Sequence, residues 1–244
     1  MIVRSLTGAV TRLLVSPAWF VPVDDFWGRR SVPGLAVALD RWDGAGWRPS
    51  DARPAVTPGG VIAFPGLGRR RDPAGAEPEL FRARFTAAGY RPLYPPDDEP
   101  FDATHLGREF LAHPYDDLRP PEVAAEPETV PFLVARAYPH SANTRLLRGL
   151  ARRADGTGVA NALVEAAGQT ADGLRAWRER TLCDDDGTFR LPLRWPGRPA
   201  GGLAPAGAEI FTLTATERRG RTGQVDVELP GGLGRTHVIE ISGP

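Results

Sequence analysis

Glycine and proline are spread along the whole chain, at 28 and 25 of its 244 residues, well above their usual combined share of roughly 12 %. In a helix interior glycine costs about 1 kcal/mol and proline about 3 kcal/mol relative to alanine. The chain is therefore poor material for long helices and good material for short strands joined by turns. The local periods agree. Phe211, Leu213 and Ala215 alternate with Thr212, Thr214 and Thr216, and Val225, Val227 and Leu229 alternate with Gln224, Asp226 and Glu228. His237, Ile239 and Ile241 alternate in the same way with Val238 and Glu240. A period of two sends each set to its own face of a strand. Turn sequences separate the runs, at Asp155-Gly156, Asp186-Gly187, Arg219-Gly220 and Pro230-Gly231-Gly232. The expected fold is all-β, built as antiparallel β-sandwiches of the immunoglobulin or transthyretin kind.

The length favours two modest domains over one large one, and the sequence carries signs of duplication. Val32 and Val159, Val37 and Val164, and Gly60 and Gly187 each stand 127 positions apart. The strand-like run Phe81 to Ala87 matches Phe211 to Thr216 with a small shift. Between the halves, residues 95–131 are acidic and proline-rich, with Pro95-Pro96-Asp97-Asp98-Glu99-Pro100 at one end and Pro120-Pro121-Glu122 at the other. Proline fixes φ and like charges repel, so these ends read as extended. Within them, Leu106, Phe110 and Leu111 have helix-like spacing behind Asp102, which predicts a short helical turn. The organisation expected is a sandwich over 1–94, a connector over 95–131 and a second sandwich over 132–244.

The run from Thr144 to Glu165, with Asp155-Gly156 at its turn, resembles the opening of a carboxypeptidase regulatory-like domain, and Asp184, Gly187, Phe189 and Leu191 match that family's later D-x-x-G-x-F-x-L segment. The resemblance covers about 144–244 directly and 10–94 through the repeat. It implies a transthyretin-like sandwich and an accessory role without catalysis. The combination of Trp47-Arg48-Pro49, Gly60-Val61-Ile62-Ala63-Phe64 and Ala137-Tyr138-Pro139 ahead of Thr144-Arg145-Leu146-Leu147 also resembles small accessory proteins of contractile injection systems, the phage-tail-like particles. That likeness implies a cap, adaptor or sheath-associated subunit.

Several chemistries find no support. All 30 basic residues are arginine, so no lysine is available for a Schiff base or a P-loop. The formal net charge is zero, which gives no overall pull toward nucleic acid. No uninterrupted apolar run is long enough to span a membrane, and a cytoplasmic protein, or one in a particle assembled there, is expected. The single cysteine, Cys183, stands beside Asp184, Asp185 and Asp186, where carboxylates disfavour a thiolate. Those aspartates could offer hard oxygen ligands to calcium, but three in succession point different ways, and a solvated hairpin turn is the simpler reading. His105 and His113 lack the spacing of a zinc site, and His237 reads as a hydrogen-bonded packing residue. The sequence thus predicts no catalytic residue, no cofactor and no metal.

What remains are candidate contacts with other proteins. Trp42 and Trp47 flank Asp43-Gly44-Ala45-Gly46, a hairpin turn that would expose them, and Trp195 precedes Pro196-Gly197. Tryptophan in such positions anchors a partner. Arg69, Arg70 and Arg71 form a basic cluster able to pair with carboxylates in fork-like geometry. Phe110 and Leu111 supply apolar surface in the connector. The expected partners are subunits of a larger assembly, further copies of this chain among them. The alternative is a carbohydrate-binding surface module that uses the exposed tryptophans.

Overall fold

The computed structural model describes residues 3–7, 10–96, 99–121, 125–170, 172–202 and 206–243. Among them no residue is helical, and strands and turns account for the regular structure. The chain divides into two compact units. Met1–Ala88, Pro92–Tyr94 and Leu106–Phe132 make the first, and Gly89–Arg91, Pro95–His105 and Leu133–Pro244 the second.

In the first unit β1 (Val3–Thr7) pairs antiparallel with β2 (Val10–Leu14). There follow β3 (Trp19–Asp24), β4 (Ala36–Trp42), β5 (Trp47–Pro49), β6 (Ala55–Val56), β7 (Ile62–Ala63), β8 (Glu79–Thr86), β9 (Tyr90–Pro92), β10 (Arg108–Ala112) and β11 (Pro127–Val134), of which Tyr90, Arg91, Leu133 and Val134 group with the second unit. One sheet has the order β10-β8-β4-β5 and the other β6-β7-β3-β11-β9. Alternation decides what lies inside. Leu39 on β4 stands opposite Ala83 on β8, and Phe81 opposite Phe110 on β10. Phe110 stacks on Phe64 and Phe81 at centroid distances of 5.7 and 6.0 Å, and Phe20 meets Phe85 edge-on at 5.4 Å. Offset and edge-to-face pairs of this kind add to the burial of large rings. The Tyr115 hydroxyl closes the packing by accepting from the Val15 N–H at 3.1 Å and donating to the Val15 carbonyl at 3.3 Å.

The second unit holds β12 (Arg145–Arg153), β13 (Leu163–Gln169), β14 (Ala176–Leu182), β15 (Thr188–Leu193), β16 (Arg198–Pro199), β17 (Glu209–Arg218), β18 (Arg221–Leu229) and β19 (Thr236–Ile241). Its sheets run β15-β12-β19 and β14-β13-β17, with β18 and β16 both pairing β17. The core fills from both inner faces with Leu147, Val164, Phe189, Leu191, Phe211, Leu213 and Ile239. Close packing leaves Gly149 no room for a side chain, because a Cβ there would lie 2.3 Å from the Phe189 ring and 2.4 Å from the His237 carbonyl.

The two units share one topology. The central trio β7-β3-β11 has the pattern of β15-β12-β19, including a parallel pairing of β3 with β11 and of β12 with β19. The run β5-β4-β8-β10 has the pattern of β14-β13-β17-β18. The sequence offset falls on equivalent places. Val37 lies in β4 and Val164 in β13, Val32 and Val159 are buried just ahead of those strands, and Gly60 and Gly187 take φ of +76° and +82° in the turns that precede β7 and β15. A left-handed φ is the reason for glycine at both.

One expectation changes. The stretch suggested as a helical turn is a strand, β10, because Phe110 and Leu111 serve opposite faces of a sheet and not one face of a helix. Within the segment 95–131, residues from 106 onward group with the first unit and 95–105 with the second. Asp97, Asp98 and residues 122–124 of that segment lie outside the described residues.

Candidate functional site

The outer face of the sheet β10-β8-β4-β5 carries the most distinctive surface. The register sets its residues in transverse rows. Leu111 stands opposite Leu80, Trp42 opposite Trp47, and the pairing of Arg41 with Phe81 places Trp42 level with Leu80. Leu111, Leu80, Trp42 and Trp47 therefore form one apolar row across four strands. Leu111 is 48 % exposed and Trp42 40 %. The tryptophan rings meet edge-on, 5.4 Å between centroids.

The next row is charged. Glu109 stands opposite Arg82, Arg82 opposite Asp40, and Asp40 opposite Pro49. Asp40 is buried, with a side chain only 4 % exposed. Arg84 Nε donates to its Oδ2 at 2.7 Å and Nη2 to Oδ1 at 3.0 Å, while Arg82 Nη2 donates to Oδ2 at 2.9 Å. The Arg84 hydrogen bonds hold the Asp40 carboxyl below its usual range against the opposing effect of burial, with Arg82 acting in the same direction. Arg82 also covers Trp47, its guanidinium carbon 4.4 Å from the ring centroid. The turn joining β4 and β5 is fixed by Asp43, whose Oδ1 accepts from the N–H groups of Ala45 and Gly46 and whose Oδ2 accepts from Arg48 Nε. Those bonds push the Asp43 pKa down to about 2, the Arg48 contact being the largest cause.

The equivalent row of the second unit is different. Topological equivalence puts Gln169, Ala176, Ile210 and Glu228 in place of Trp42, Trp47, Leu80 and Leu111, with Gln169 opposite Ala176 and Ile210 opposite Glu228. On the rest of that face Thr212 donates to Asp226 and Arg178 pairs with Glu165. One scaffold thus carries a row of two tryptophans and two leucines in one copy, and in the other a row without aromatic residues that is half polar, through Gln169 and Glu228.

The other residues singled out in the sequence fall elsewhere. Phe110, next to Leu111, points into the aromatic core. Arg69 makes a two-pronged pair with Asp117 at 3.2 and 2.5 Å, Arg70 pairs with Glu79, and Arg71 is exposed. Trp195 is 40 % exposed on the second unit, its carbonyl accepting from Arg145. His237 Nε2 lies 2.9 Å from the Gly232 carbonyl. Cys183 is buried, which, with neighbouring carboxylates adding to the effect, pushes its thiol up to about 12. Sequence reasoning missed Asp40, Arg82 and Leu80. The signal was present, since Leu80, Arg82 and Arg84 alternate with Phe81, Ala83 and Phe85 and so had to share the outer face.

Among the described residues no group of three His, Cys, Asp or Glu is placed to hold a metal ion, and no helix is long and apolar enough to cross a membrane. The fold and this face define a protein of tandem, topologically matched β-sandwiches bearing one aromatic sheet surface. No protein-family model matches the chain, and no curated protein matches it. Among solved structures it is similar to the Bacillus anthracis TIE protein, at 10 % identity and a TM-score of 0.25, over 96 % of this chain and 35 % of that one. It is also similar to a streptococcal ancillary pilin, at 12 % identity and a TM-score of 0.28, over 100 % of this chain and 74 % of that one. The chain spans about a third of the length of the first and about three quarters of the second. Likeness at that level assigns no family, activity or partner.

Proposed function

We propose that the protein is a non-catalytic structural or adaptor subunit that acts through protein–protein contacts, with the outer face of β10-β8-β4-β5 as its docking surface. The observation that carries this reading is the apolar row Leu111, Leu80, Trp42 and Trp47, with Leu111 and Trp42 exposed and Leu80 and Trp47 half-buried, on a scaffold whose second copy has no aromatic residue in that row. Clustered apolar surface of this kind marks interaction sites, and tryptophan and arginine are the residues that dominate binding at them. The charged row beside it supplies a polar rim in which Asp40 is already paired with Arg82 and Arg84.

The assembly favoured by the sequence resemblance is a contractile, phage-tail-like particle, in which the chain would serve as a cap, adaptor or sheath-associated component. Arg82 bears on the alternative of a carbohydrate-binding module. Its guanidinium occupies one face of Trp47, the kind of face on which a sugar ring would stack.

Particles purified from the cells that produce this chain provide the test. The chain is expected in their composition, and Leu111→Glu is expected to release it while circular dichroism stays unchanged. Particles that contain no trace of the chain would remove the assembly role. Glycan-array binding that disappears with Trp42→Ala would replace protein docking by sugar binding.

A further inference from the structure

A second surface, on the other sheet of the second unit, gathers three arginines, two of which have no carboxylate partner among the described residues. Arg148 lies on the outer face of β12, the central strand of β15-β12-β19, directly opposite Arg190 on one side and Thr236 on the other. Like charges directly opposite each other on paired strands are destabilising. Arg136 comes to the same place from the segment between β11 and β12. Its carbonyl accepts from Arg190 Nη1 at 2.9 Å, and its Nη1 donates to Thr188 Oγ1 at 3.1 Å. These residues line an open depression of about 320 Å³ together with Gly149 and Phe189.

The neighbouring acids reach Arg136 only, and leave Arg148 and Arg190 unpaired. Asp184 and Asp186 lie 3.9 Å from Arg136 Nη1, at the limit of an ion pair. Asp186 Oδ1 already accepts from the Thr188 N–H and hydroxyl, and Asp184 faces Arg91 at 3.4 Å. Among the described residues Arg148 and Arg190 make no ion pair, and Arg190 Nε is buried without a hydrogen-bond acceptor. His140 adds no charge near neutral pH, because burial and the Arg190 charge both lower its pKa.

We infer that this depression is a binding site for a phosphate group, held by Arg136, Arg148 and Arg190. Arginine forks match phosphate oxygens with paired N–H donors. Three forks arriving from three segments suit an anion with several acceptor oxygens and up to two charges better than a planar carboxylate. The bound anion would satisfy Arg190 Nε and turn the repulsion between Arg148 and Arg190 into shared attraction. The depression is open and larger than a single ion needs, which leaves room for the group a phosphate monoester carries.

Calorimetric titration of the full chain tests this, with inorganic phosphate in one arm and phosphoserine in the other. One saturable site per chain is expected. Arg148→Gln and Arg190→Gln should each weaken it at least tenfold, and Arg198→Gln, on the opposite sheet, should leave it unchanged. Tighter binding of phosphoserine would identify a monoester as the ligand, and tighter binding of phosphate the free ion. A thermal melt guards against misfolded variants. Without phosphate, Arg148→Gln should melt no lower than the wild type, because a repulsion has been removed. With phosphate, only the wild type should gain more than the general stabilisation that this salt gives any folded protein. No saturable heat in either arm, or equal affinities in wild type and Arg148→Gln, would overturn the site.

Discussion

Arg82 holds Trp47 and Asp40 at once, its guanidinium carbon 4.4 Å from the Trp47 ring centroid and its Nη2 2.9 Å from Asp40 Oδ2. The aromatic row and the charged row of the sheet are therefore mechanically joined, and Asp40 is the residue on which the joint rests. Asp40→Asn keeps the shape and removes the charge. Breaking a buried pair costs about 3–5 kcal/mol, but Arg84 is 44 % exposed and water screens part of the loss, so about 2 kcal/mol is expected at pH 7. The sign with pH follows from the lowered pKa. The ionised form is favoured in the folded state, so the stabilisation is complete above the unfolded value of about 3.9 and is lost as pH falls through the lower folded value. Denaturant unfolding should show wild type and Asp40→Asn well separated at pH 7 and converging in strong acid.

Tyr115 reaches back across 100 residues to satisfy both backbone groups of Val15. Tyr115→Phe deletes one oxygen and leaves a buried N–H and a buried carbonyl without that partner. The expected loss is about 1–3 kcal/mol, measured by urea unfolding. A variant as stable as the wild type would mean that the hydroxyl is dispensable.

Two glycines with ordinary backbone angles separate steric from conformational effects. At Gly149 an added Cβ meets Phe189 and the His237 carbonyl, while at Gly201 it meets nothing within 4 Å. Overpacking a filled core costs about 1–3 kcal/mol, so Gly149→Ala should lower the melting temperature and Gly201→Ala should leave it near the wild-type value.

Cys183 should behave as a buried thiol and not as a nucleophile. Burial raises its pKa to about 12, so almost no thiolate forms at pH 8. Modification by a disulfide reagent should be slow in the folded protein and rapid in denaturant. Fast labelling of the native chain would show an accessible, activated sulfur.

The elements that were legible in the sequence are those with a strict period of two between turn glycines. Phe211, Leu213 and Ala215 face the core of β17 as their alternation requires, and the offset linking Gly60 to Gly187 marks real turn equivalents. β10 was misread because a five-residue strand with Phe110 and Leu111 adjacent shows no clear alternation, and the positions of Leu106, Phe110 and Leu111 also fit a helix. Trp42 and Trp47 were legible as a hairpin pair from the Asp43-Gly44 turn. Their membership of a row with Leu80 and Leu111 was not, because it depends on register between strands far apart in the chain. The cluster of Arg136, Arg148 and Arg190 was hidden for the same reason, since it joins residues of β12, β15 and the segment before β12 that share no local pattern.

Neighbouring residues on β10 give the sharpest contrast. Leu111 contributes to the outer row and is 48 % exposed, while Phe110 is wedged among Phe20, Phe64 and Phe81. Phe110 is half-buried, so Phe110→Ala should cost about 2–3 kcal/mol, at or below the low end for a fully buried ring. Leu111→Glu should change stability by no more than about 0.5 kcal/mol, as surface substitutions do, because its side chain already meets water. Trp42→Ala falls between them, losing an edge-to-face contact of about 0.5–1.5 kcal/mol with Trp47. Partner binding should rank in a different order, with Leu111→Glu and Trp42→Ala both abolishing docking at temperatures where each variant remains folded. Binding that instead followed stability, weakest for Phe110→Ala and intact for Leu111→Glu, would place the contact surface elsewhere on the molecule.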